Sequence, residues 1–236
     1  MSRGKTIKRF WKAAHVTPSG ADYTVTLDHR PLRTPAKAAL ALPSLALAQA
    51  VAAEWDAQVD RVDPRTMPMT RMANAAIDKV ALQKAEVADM LAAYGDADLL
   101  CYRATSPKGL IARQAEEWDG LLDWAEAALG ARLRPVSGVM HAPQDAQALA
   151  VLAAHVHDLT EFQLAGFHDL VSLSGSLIIG LAATRGHLTP QELWDRSRVD
   201  EDWQIEQWGE DDEAAAQSAL KRQAFLDANR FFQLSS

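Results

Sequence analysis

The sequence predicts an α+β fold, with a small antiparallel β-domain over residues 1–43 followed by a larger multihelical domain over residues 44–236. Three observations predict it. Before Pro43, short runs rich in aromatic and β-branched residues alternate with turn residues. After Pro43, apolar residues recur almost throughout at helical spacing. No segment recurs at a fixed period of about 20–50 residues, so the helices are read as about six or seven around one core and not as a solenoid.

The elements follow in order. Residues 10–16 and 23–27 read as two strands of a hairpin, joined by Thr17-Pro18-Ser19-Gly20. Asp28-His29-Arg30-Pro31 offers a second turn, and Pro35 within residues 32–42, with Pro43 just after them, suits edge strands and denies a helix. Ser44 is placed to cap a helix of about four turns whose apolar positions include Leu47, Val51 and Trp55. A second helix is expected over residues 71–94 with Thr70 as its cap and Gly95 as its end. Residues 99–102 fit either a strand or a helix. Over residues 110–129, Ile111, Ala115, Trp118, Leu122, Ala125 and Leu129 share one face of an amphipathic helix closed by Gly130.

Residues 144–157 resume helical spacing, and residues 170–184 carry no charge. Fifteen residues are too few to span a bilayer, so this stretch reads as one buried core helix. Gly175 and Gly180 within it point to close approach of neighbouring helices. Thr189-Pro190-Gln191-Glu192 supplies a cap, a first-position proline and a first-turn acid for a helix to Trp208, ended by Gly209. The last helix spans residues 211–232, with Leu220, Phe225, Leu226 and Phe232 on its apolar face.

Charge is uneven. Residues 1–37 hold eight Lys/Arg against Asp22 and Asp28, a net of +6, which leaves −13 for the rest of a chain whose total is −7. The overall acidity argues against nucleic-acid binding by the basic end. No apolar run is long enough for membrane insertion, and the start lacks the pattern of a secretory signal. With Cys101 as the one cysteine, no intrachain disulfide can form, which fits a reducing compartment. The bacterial cytoplasm is expected, or the mitochondrial matrix in a eukaryote.

No phosphate-cradling glycine loop is present, and no cofactor, metal or catalytic residue is assigned. The nearest metal pattern is His155-Val156-His157-Asp158. Residues two apart on a helix diverge, so His155 and His157 share an ion only if the segment is extended. A hydrolase using the abundant acids or a His155/His157 metal site is the alternative reading. Nine acids between Asp195 and Glu213 face only Arg196 and Arg198, giving this stretch a negative potential suited to a basic partner surface. Seven tryptophans supply core and interface anchors alike, with Trp55 and Trp208 the better interface candidates.

Several segments, taken in order, carry a resemblance. They are Arg30-Pro31-Leu32-Arg33-Thr34-Pro35-Ala36-Lys37, Glu54-Trp55-Asp56-Ala57-Gln58, and Met67-Pro68-Met69-Thr70 with Ala73-Asn74 and Ile77-Asp78. Farther along come Asp98-Leu99-Leu100-Cys101-Tyr102-Arg103, Arg113-Gln114 with Trp118-Asp119, Asp200-Glu201, and Trp203-Gln204 to Trp208-Gly209. Together they resemble the alpha-subunit-specific assembly chaperones of F-type ATP synthase over nearly the whole chain. The departures are His29, where the family has a turn glycine, and Met69 and Met72, where leucine is usual. The resemblance implies a β-domain plus a helical domain, no catalytic site, and a monomer that holds the free alpha subunit until beta arrives. On this reading Trp55, Glu206, Trp208, Glu210 and Glu213 form the partner-binding set, with the acids steering the client.

Overall fold

The computed structural model describes residues 7–236, so Arg3 and Lys5 of the basic N-terminal group lie outside the described residues. Among the described residues a small antiparallel sheet leads into ten α-helices, an α+β fold. The chain divides into two compact units, one of residues up to 84 with 160–166 and 230–236, the other of residues 85–159 and 167–229. Strand gives way to helix near Pro43, but the compact units divide elsewhere, because the first two helices belong with the sheet.

In the first unit, β1 (Ala14–Ser19) and β2 (Asp22–Leu27) form the hairpin, paired from Ala14 with Leu27 to Ser19 with Asp22. Gly20 turns it with φ +67°, a conformation that glycine adopts without a Cβ penalty. β3 (Arg30–Pro31) adds to β2. At this second turn the positive φ falls on Asp28, at 54°, and not on His29. Aspartate tolerates that region, and its carboxylate accepts the backbone N–H groups of Lys12 and Ala13, holding its pKa below the usual carboxylate range. His29, where the resemblance leads to the expectation of a turn glycine, therefore carries no positive-φ strain. The expected edge strands over residues 32–42 reduce to two isolated bridges, Arg33 with Ala39 and Tyr23 with Leu42.

α1 (Leu45–Asp56) starts where Ser44 caps it, the hydroxyl accepting from Leu47 N at 3.0 Å while donating to the Leu234 carbonyl. Leu47, Ala48 and Val51 are buried as α1 packs on β1, β2 and α2 (Pro68–Asp78). The helix expected over residues 71–94 starts earlier and is interrupted. Pro68 occupies its first turn, Thr70 lies inside it, and the 3-10 turn Val80–Leu82 separates α2 from α3 (Lys84–Ala92).

In the second unit the ambiguous stretch proves to be both kinds of structure: a 3-10 turn, Leu99–Cys101, then β4 (Tyr102–Arg103). α4 (Lys108–Leu129) ends at Gly130 with φ +75°, which caps it in the left-handed conformation. β5 (Val136–Ser137) pairs in parallel with β4, and α5 (Ala146–His157) is capped by Asp145. The uncharged stretch 170–184 is two helices, a correction to the single core helix. α6 (Glu161–Ser174) ends at Gly175, φ +73°, and Ser176 caps α7 (Leu177–Thr184) by accepting from Ile179 N at 3.0 Å. Gly180 is the real close approach, since a Cβ there would meet Val171 at 2.7 Å and Phe167 at 3.0 Å.

Thr189 and Glu192 form a reciprocal capping box for α8 (Pro190–Arg196). The helix then breaks at Ser197 before α9 (Val199–Trp208), where one helix was expected. α10 (Asp212–Leu234) closes the chain, its last turn belonging to the first unit, where Phe231 stacks on Phe162 at 6.4 Å. Phe225 and Phe232 are buried as expected, whereas Leu220 is 65% exposed.

Candidate functional site

The acidic stretch after Asp195 folds into α9, a turn at Gly209 with φ +89°, and the first half of α10. Helical periodicity gives α9 two opposite faces, because spacings of four and three residues return to one side. Val199, Trp203 and Glu206 make one, and Glu201, Ile205 and Trp208 make the other. The first face meets α4. Val199 is buried, and the Trp203 ring lies so close to Gly109 that a Cβ there would stand 2.6 Å from its edge. Arg113 covers the same ring, with its guanidinium carbon 5.0 Å from the centroid. Its two terminal nitrogens donate to the two Glu206 oxygens at 2.7 and 2.8 Å. That fork holds the Glu206 carboxyl below its usual range.

The second face borders a cleft of about 650 Å³ between α9 and α10. Trp194, Ile205, Trp208, Ala214 and Ala215 supply its apolar lining, while Glu201, Asp202, Glu210 and Asp211 give it an acidic rim opposed by Arg198 and Lys221. Trp208 is 79% exposed, so a large indole stands in solvent among carboxylates. Partial burial pushes Asp202 above the ordinary carboxylate range; Arg198 pulls it the other way, and Asp195 and Glu206 repel its charge. Such a surface can take an apolar segment and a cationic side chain together.

Of the five partner-binding candidates, Trp208, Glu210 and Glu213 are exposed on this α9–α10 hairpin. Glu206 belongs to the opposite side of α9 and is engaged by Arg113. Trp55 is in the first unit, half-buried, its ring 5.3 Å from Trp11 in an edge-on arrangement. Neither indole N–H has an acceptor among the described residues. Around Trp55 the motif Glu54-Trp55-Asp56-Ala57-Gln58 is a set of backbone clamps. Glu54 accepts from Met69 N, Thr70 N and the Thr70 hydroxyl at 2.7, 2.8 and 2.7 Å, capping α2. Asp56 accepts from Ala14 N at 2.8 Å, and buried Gln58 bridges Asp63 N, Thr66 and the Glu54 carbonyl. Arg9 donates to the carbonyls of Trp11, Lys12, Asp56 and Gln58.

The later motifs form a second set of joints. The Gln114 side chain accepts from Ala104 N at 2.8 Å and donates to Asp200 at 2.6 Å. Trp118 donates its indole N–H to the Arg196 carbonyl at 2.8 Å, and Arg103 lies over its ring. Asp98, fully buried, accepts from Leu100 N and Ile178 N and is pushed up to about 6 by burial, against the pull of those bonds. Cys101 beside it is buried, and desolvation pushes its thiol up to about 12, unsuited to nucleophilic chemistry.

His155 and His157 both sit on α5 and face different partners, the Leu129 carbonyl at 3.2 Å and Asp89 at 2.8 Å. Among the described residues no three His, Cys, Asp or Glu side chains gather as metal ligands, and no helix is long and apolar enough to cross a membrane. The residues that sequence reading missed are Gly109 and Arg113. Arg113 was visible as part of a motif, but its pairing with a residue 93 positions away was not.

Residues 8–126 match the family model described as ATP12 chaperone protein. The curated Protein atp12, mitochondrial, of Schizosaccharomyces pombe is 26% identical, the match covering 86% of this chain and 74% of the relative. The crystal structure of Atp12 from Paracoccus denitrificans superimposes with a TM-score of 0.94 at 48% identity, covering 97% of this chain and 98% of that one. The Atu1473 protein of Agrobacterium tumefaciens gives a TM-score of 0.91 at 43% identity, covering 95% and 86%. With half the chain matched by the family model and its full architecture shared with Atp12 of Paracoccus denitrificans, the chain belongs to the ATP12 chaperone family.

Proposed function

We propose that this protein is an assembly chaperone that holds the free alpha subunit of F-type ATP synthase and surrenders it when the beta subunit arrives. The observation that carries the reading is the 48% identity with Paracoccus denitrificans Atp12 across 97% of the chain. The physical demand is general. A ring subunit has two unlike faces, and each is an apolar surface liable to aggregate until its neighbour covers it. A holder must bind that surface less favourably than the final partner, so assembly displaces it.

The α9–α10 hairpin supplies the chemistry for such a contact. Trp208 is the exposed anchor, and Glu210 and Glu213 orient a basic client surface by long-range attraction. Trp55, packed on Trp11, has a supporting role in its own unit. The site of action is the bacterial cytoplasm, or the matrix in a mitochondrial relative, and the free protein is a monomer.

The test uses purified, isolated alpha subunit whose aggregation is followed by light scattering. The protein is expected to suppress aggregation at near-equimolar ratio, and Trp208→Ala to weaken capture by about ten-fold or more. Reversing Glu210 and Glu213 together should weaken it while leaving the thermal unfolding midpoint unchanged. Continued precipitation of alpha in the presence of the native protein would overturn the proposal.

A further inference from the structure

We propose that Arg113 and Glu206 form an internal latch that holds α9 in the orientation presenting Ile205 and Trp208, so that Glu206 serves the client surface through Arg113 and not by touching the client. The inference rests on the α9–α10 hairpin being the client surface, and changes what Glu206 does there.

Little else holds α9. Val199 is the helix's one buried residue, Trp203 is half-buried, and the remaining eight are predominantly exposed. A ten-residue helix is too short to be stable in water on its own propensity. Gln114 ties Asp200 at the start of the helix. At the far end, the hold on α4 consists of Trp203 against Gly109, Arg113 over Trp203, and the fork from Arg113 to Glu206. Beyond it come Trp208 and the positive-φ Gly209, so no further regular structure fixes the helix end before α10.

Exposed ion pairs usually contribute little, but this one has two features that make it count. The guanidinium is a rigid fork making two short hydrogen bonds, and the same group is packed on an aromatic face. Glu206 and Trp203 are three residues apart on one face, so a single arginine engages both. Ile205 and Trp208 point the other way into the cleft, and loss of the fork would let that face rotate or fray.

A double-mutant cycle on the full-length protein tests this with isolated alpha subunit as the probe and amide hydrogen exchange over residues 203–209 as the structural readout. Arg113→Gln and Glu206→Gln are each expected to speed exchange there about five-fold or more and to weaken alpha capture several-fold. The double variant should be no worse than either single variant, because both remove the same latch. Effects that multiply would show that Glu206 meets the client directly, and exchange unchanged in the single variants would show that the latch does not hold α9; either overturns the proposal. Trp208→Ala separates the two readings. If it leaves capture unchanged while the latch variants still speed exchange, the client surface lies elsewhere and the positioning role for capture falls with it.

Discussion

Two buried or half-buried carboxylates do work that residue type alone does not reveal. Glu54 belongs to a motif that reads as a tryptophan-centred contact, yet its oxygens accept three hydrogen bonds at the start of α2, whose first residues have no N-cap side chain of their own. Replacing Glu54 with Ala should cost about 1–3 kcal/mol of stability, measured by chemical denaturation, because it strands those donors. Asp98 is the opposite case: its hydrogen bonds favour the ionised form, but full burial outweighs them and lifts its pKa from 3.8 to about 6. An acid whose folded pKa is raised contributes stability that is fully present below its unfolded value and lost as pH rises through the folded one. The stability of the native protein relative to Asp98→Asn should therefore fall by roughly 3 kcal/mol between about pH 4 and about pH 6, and then level off. A gap constant from pH 4 to 7 in denaturation experiments would show that the carboxylate stays charged.

Among the helices, what decides a glycine's meaning is its neighbour. α4 contains Gly109 and Gly120, both at helical positions where alanine has the better propensity. A Cβ on Gly120 meets nothing within 4 Å, whereas one on Gly109 would enter the Trp203 ring at 2.6 Å. Gly120→Ala is thus expected to stabilise by up to about 1 kcal/mol. Gly109→Ala should destabilise by about 1–3 kcal/mol and raise the solvent accessibility of Trp203, read from fluorescence quenching. Equal and favourable effects at both positions would mean that α9 does not seat against α4 as described. The same logic separates Gly175, which ends a helix through its positive φ, from Gly180, which admits Val171 and Phe167.

For the whole molecule, charge distribution bears on function more than the net value of −7 does. The basic N-terminal residues are partly consumed in structure, as Arg9 shows, while the acids of the α9–α10 hairpin remain on an exposed surface around Trp208. If those acids steer a basic client, the association rate with isolated alpha subunit should fall about ten-fold as salt is raised from roughly 50 mM to roughly 500 mM, with a smaller change in dissociation. Stopped-flow measurement of intrinsic tryptophan fluorescence would report both rates. An association rate indifferent to salt would leave the acidic rim as a solubilising surface alone.

Local chemistry made much of this legible from the chain. The Ser44 cap, the Thr189–Glu192 capping box, the Gly130 and Gly209 helix ends and the amphipathic face of α4 all depend on neighbours within a few residues, so spacing is enough to find them. The breaks at Gly175 and Ser197 escaped, because apolar periodicity continues across a turn when both flanking helices are buried. Position in the acidic stretch likewise said which residues carry charge but not which way they face. Glu206 and Glu210 are four residues apart, yet one is forked to Arg113 on α4 and the other borders the cleft. That division depends on how α9 packs, a contact between residues about ninety positions apart that no local pattern encodes.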